Sequence, residues 1–227
     1  MISKHLKFIV ILYLSGAFAQ EVKWMSIGDL HNWYSAAGSE IEVGRTGQVS
    51  DQQDGLRYPA FYRVQDNQAS KGLWLGASNF YDPVVDKNYD KKVVHAGPRH
   101  LDIENETMPV SITMDGKYDH PNVFVDGDPA TNLQYLDYVD NIDPYLESDR
   151  KINNIVQTSL GVQMKRTIYA FSHPDHQNYH IQEYVFTNNG CFDKDCNASY
   201  DQTLDGFQVY LQYRYCLLYT SPSPRDF

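Results

Sequence analysis

The chain has 227 residues, 42% hydrophobic and 21% charged, with a net charge of -10. That balance excludes a disordered chain, a collagen-like repeat and a multi-pass membrane protein. The acidity also argues against a nucleic-acid backbone as partner.

The first element is a leader. Lys4 and Lys7 precede the short apolar run Phe8 to Ala19, and Ala17-Phe18-Ala19 is a small-x-small cleavage pattern. This predicts a signal peptide over 1–19. The run is shorter than the roughly 20 residues that span a bilayer; an uncleaved buried helix or an anchor is the other reading. No Cys follows the cleavage point, which argues against a lipoprotein. The expected location is secreted or at the cell surface, with no transmembrane segment after cleavage.

Residues 20–55 form a mixed, Gly-rich N-terminal segment with Trp24 and Trp33 in an apolar frame; Gly44 to Gly55 reads as loop. From residue 56 to 215 the pattern is β. Tyr58, Ala60, Tyr62 and Val64 alternate as a first strand, Asp66 to Lys71 reads as a turn, and Leu73 to Ala77 as a second strand around Trp74. Lys92 to Ala96 is a third. Val110 to Met114 and Val123 to Val125 flank a turn around Asp115-Gly116.

Residues 115–149 are acidic, with Lys117 the only Lys or Arg. Asp128-Pro129 suits a helix N-cap and first turn, and Leu133, Leu136 and Val139 predict a short helix over 129–140. Three alternating runs follow, Met164 to Phe171, Tyr179 to Thr187 and Phe207 to Tyr215. Each carries apolar or aromatic residues on both faces, as central strands covered on both sides would. The expected fold is mainly β: an antiparallel β-sandwich with long loops and at most a short helix.

The last stretch, Cys216 to Asp226, resembles the translation of a transposase adapter used in DNA library preparation. Residues 216–227 are therefore expected to be a non-native tail, and the chain a fragment of a longer one. Setting Cys216 aside leaves Cys191 and Cys196. In an exported chain the C-x4-C spacing predicts a small-loop disulfide; a zinc half-site and free thiols are the alternatives.

Gly97-Pro98-Arg99, Asp149-Arg150 and the run Asn178 to Gly190 carry a resemblance. The chain resembles uncharacterised, β-rich exported proteins of Gram-negative bacteria, many delivered by type IX secretion through a C-terminal sorting domain. The resemblance implies the N-terminal β-rich region of a larger surface or secreted protein. It carries no active-site residue over.

Candidate chemistry is sparse. Asp126, Asp128, Asp137 and Asp140 offer oxygen ligands for a structural calcium, against the plainer reading of a solvated acidic face. His173, Asp175, His176 and His180 offer metal ligands, against a hairpin connection. Trp74 and Trp33 can stack on sugar rings, against ordinary sheet packing. No G-x-S-x-G or H-E-x-x-H motif occurs. The expected function is a non-catalytic structural or interaction module of a larger exported protein, its partner an extracellular glycan or a cell-surface protein. A carbohydrate-binding or carbohydrate-degrading region is the alternative, and calcium-stabilised adhesion a third.

Overall fold

A computed structural model describes residues 22–40, 55–61, 67–96, 106–121, 123–130 and 137–215. Residues 1–21, 41–54, 62–66, 97–105, 122, 131–136 and 216–227 lie outside the described residues, and with them the leader and the tail expected there. The described residues form twelve strands: β1 (Val22–Met25), β2 (Asn32–Ser35), β3 (Gln68–Asp82), β4 (Lys87–Ala96), β5 (Thr107–Gly116), β6 (Phe124–Val125), β7 (Asp128–Pro129), β8 (Asn141–Ile142), β9 (Arg150–Thr158), β10 (Val162–Ala170), β11 (Ile181–Asn188) and β12 (Asp205–Tyr215). No helix occurs among the described residues.

Two main sheets face each other. One has the order β11-β10-β9-β5-β8, antiparallel except for the short β5–β8 pair; the other has the order β12-β3-β4. Leu73, Leu75 and Phe80 on β3 and Val94 on β4 pack against Val156, Val162 and Met164 of the larger sheet. A separate β1–β2 hairpin covers the rest of that inner face, with Met25, Ile27 and Tyr34 set on Ile112, Met114, Ile152 and Ile168. The chain is thus mainly β, with antiparallel sheets packed as a sandwich. The apolar interior is two clusters rather than one.

Local chemistry explains the turns. Asp82 Oδ1 accepts the Val84 and Val85 amides at 3.0 and 3.3 Å, closing the β3–β4 connection. Gly161, at φ +71°, reverses the chain between β9 and β10, where L side chains are disfavoured.

Several expectations need correction. The described part of the alternation from Tyr58 makes no strand: Arg57 forms a lone bridge with His31 and the chain turns through 58–61, while Tyr62 and Val64 lie outside the described residues. Pro59 supplies no amide to a ladder. Within the expected turn over 66–71, residues 68–71 are instead the start of β3, and Asp115-Gly116 is the end of β5. Asp128-Pro129 starts no helix. It is β7, paired with Phe124 and Val125 across Asp126 and Gly127, both at positive φ. That is the requirement of a type I′ hairpin turn. Residues 137–140 are also non-helical.

The three double-faced runs are strands, but only β10 is central. β11 and β12 are rims of their sheets. Their inner residues Tyr184, Phe186 and Phe207 reach the core, while Ile181, Val185 and Tyr210 stand exposed.

Candidate functional site

The two apolar clusters are separated by a polar band on the inner face of the larger sheet. Arg166 on β10 sits in phase with Met164 and Ile168 and is fully buried. Its guanidinium donates to the carbonyls of Ser35 and Gly38, at 2.9 and 3.0 Å, and to Asn154 Oδ1 at 3.0 Å. Asn154 in turn donates to the carbonyls of Ala36 and Ser111. These bonds hold the turn after β2 and set Glu40 at the junction of hairpin and sheets.

Glu40 is the hub of a buried network. Asn32 Nδ2 and Gln182 Nε2 each donate to it at 2.6 Å, and Lys71 Nζ pairs with the same carboxylate. Lys71 also lies over the Tyr213 ring, 4.1 Å from its centre. Burial and then the Arg166 charge pull the Lys71 ammonium down to about 6; the Glu40 carboxylate acts in the opposite sense. Beside the pair, the Tyr34 hydroxyl and His180 Nδ1 are 2.7 Å apart. Burial drives His180 down to about 3, with the Leu30 backbone opposing it weakly, and pushes the Tyr34 phenol well above its usual range.

These groups line a pocket of about 470 Å³ between the hairpin and the rim strands β11 and β12. Its wall combines a carboxylate, an amine, side-chain amides and tyrosine rings. That lining can hold a small polar molecule by hydrogen bonds to its edges and ring contact on its faces.

A second feature lies on the outer face of the three-stranded sheet. Tyr210, Trp74 and His95 are register neighbours across β12, β3 and β4. The Trp74 and His95 rings are stacked at 6.4 Å and 15°, and Tyr210 lies 5.5 Å from Trp74 on the other side. Gly72 makes room for the indole, to which the Tyr210 ring is tilted by 52°. A Cβ there would fall 2.7 Å from Trp74 Cη2, so only glycine lets the indole lie along the strand. His95 is fixed from below by Glu106, which accepts from the His95 amide at 2.9 Å and meets Nδ1 at 2.7 Å.

Trp33, the other residue expected to stack on sugar, is half-buried on β2, its ring 4.8 Å from that of Trp24. The four aspartates expected as calcium ligands are not gathered into a site. Asp126 and Asp128 belong to the exposed β6–β7 hairpin. Asp137 receives Arg150 Nε and Nη2, both at 3.1 Å, and meets His120 at 2.5 Å. Asp140 receives Lys23 Nζ at 2.9 Å and the Met114 amide at 2.6 Å. Nor do the histidines converge, since His180 turns inward to Tyr34 while His173 and His176 stay exposed. Among the described residues no group of three or more His, Cys, Asp or Glu is arranged to hold a metal ion. Cys191 and Cys196 are disulfide-bonded, with Cα atoms 4.8 Å apart, and Asp193 organises the loop by accepting the amides of Asp195, Asn197 and Ala198.

Glu40, Lys71, Gln182 and Arg166 were not anticipated. A signal existed for Arg166, a charge in phase with Met164, Ile168 and Ala170; inward charge in an otherwise apolar phase implies buried partners. No comparable signal marks Glu40, whose partners Lys71 and Gln182 lie 31 and 142 residues away. No protein-family model, curated protein or solved structure matches the chain.

Proposed function

We propose that the chain is a non-catalytic interaction module of a larger exported protein, working through the aromatic face around Trp74. The observation that carries this reading is the row Tyr210–Trp74–His95, with the indole laid over Gly72, Trp74 and His95 half-buried and Tyr210 59% exposed. Aromatic rings gathered on the outer face of a sheet and left partly open to solvent mark a contact surface. The C–H faces of sugar rings stack on aromatic planes, which favours an extracellular glycan as partner. The disulfide between Cys191 and Cys196 suits an oxidising, extracytoplasmic setting.

A polysaccharide pull-down with the wild type and Trp74→Ala tests the proposal. Saturable binding by the wild type that Trp74→Ala loses would support it. A wild type that binds no polysaccharide, or a variant that binds as well, would reject the glycan as partner.

A further inference from the structure

The pocket beside Glu40 shares no residue with the Trp74 face and poses a separate question. Burying an ion pair there adds little stability: well-packed apolar residues of similar volume do as well or better. Yet Lys71 and Glu40 are 5% and 3% exposed and line a pocket among the described residues. Asn32, 2% exposed in the same wall, donates through Nδ2 to Glu40, and its Oδ1 has no hydrogen-bond partner among the described residues. Polar groups bought at such cost at a cavity wall suit recognition better than packing.

We infer that this pocket binds a single neutral sugar unit. Neutrality follows from the wall itself. Glu40 and Lys71 both line it and offset one another. An incoming anion would meet the carboxylate and an incoming cation the amine. A hydroxyl can do both things the wall asks: donate to Glu40 or to Asn32 Oδ1, and accept from Lys71 or Gln182. The rings of Tyr34, Tyr184 and Tyr213 supply apolar faces for the C–H side of a pyranose. The volume of about 470 Å³ falls within the range of roughly 300–1,000 Å³ usual for small-molecule sites. The inference does not depend on the Trp74 face binding anything.

The test is a titration of the whole chain with the methyl glycosides of glucose, galactose, mannose and N-acetylglucosamine, followed by calorimetry and amide chemical shifts. Glucuronate and glucosamine serve as charged comparisons. At least one neutral glycoside should saturate, perturbing Gln182 and Tyr213 rather than Trp74 and Tyr210. The paired variant Glu40→Gln with Lys71→Met removes both charges together and should keep the fold. It should weaken binding by about tenfold or more, as loss of hydrogen bonds to charged groups does. If that variant does not fold, Gln182→Leu on the rim strand β11 takes its place, with weaker binding again expected. Saturation by charged sugars alone, shifts confined to Trp74, undiminished binding by the variant, or no saturation by any neutral glycoside would each overturn the inference.

Discussion

Arg166 and Asn154 stand directly opposite each other on β10 and β9, with guanidinium Nη2 donating to the amide oxygen at 3.0 Å. This pair joins the larger sheet to the turn after β2, because both side chains also bond carbonyls of residues 35–39. Arg166→Ala should therefore cost about 3–5 kcal/mol, the range for breaking a buried charged network. Arg166→Lys should fail to restore it, since an ammonium cannot span the same carbonyls as a planar fork. Urea denaturation of the two variants checks this; an Arg166→Lys protein as stable as the wild type would contradict it.

Acid should destabilise the fold through buried neutral histidines. Burial lowers His180 to about 3 and His31 to about 4 from 6.5. The unfolded chain takes up these protons first, so their contribution is whole above pH 6.5 and is lost as pH falls towards 4 and 3. The melting temperature measured from pH 7 to 4 should fall, and His31→Gln should flatten the descent. An equally steep descent in that variant would count against the assignment.

Asp137 and Arg150 form a fully buried ion pair, and Asp140 is bonded to Lys23 and to the Met114 amide. A chelator should leave the melting temperature unchanged, because these carboxylates already have partners. Asp137→Asn should lower stability by about 3 kcal/mol by leaving Arg150 uncompensated. Calorimetric melts with and without EDTA decide the first point, and the variant decides the second.

Gly72→Ala should act on the Trp74 face without touching that ring. The added Cβ, 2.7 Å from Cη2, tilts the indole off the strand. Tryptophan fluorescence should shift and polysaccharide retention should fall, while the far-ultraviolet circular dichroism keeps its β signature. Unaltered retention would show that the indole's place over Gly72 is not what the face contributes.

The sequence marked most strands because their apolar residues alternate, but it hid the middle of the larger sheet. β9 places Arg150 and Asn154 inward, beside Ile152 and Val156, so its core face does not read as apolar. β11 and β12 misled in the opposite way. Apolar residues on both faces suggest cover on both sides, yet they also fit a rim whose outer residues, Ile181 and Val185, remain in solvent. Trp74 was recognisable as a surface aromatic in a strand. Its setting between Tyr210 and His95 was not, because that depends on Gly72 and on cross-strand register. Lys71 was hidden by the polar residues before it, which mimic a turn. The Asp126-Gly127 pair, suggestive of a calcium loop, is the ordinary chemistry of a tight hairpin.

The polar band gives the molecule a seam. Met25, Ile27 and Tyr34 are anchored to one patch of the larger sheet, while Leu75 and Phe80 belong to another. The hairpin can then detach as one cooperative unit while the β3–β4 layer stays docked, in the manner of a foldon. Its amides should exchange with deuterium well before those of Leu75 and Val94, so the domain would loosen from its N-terminal flap inward.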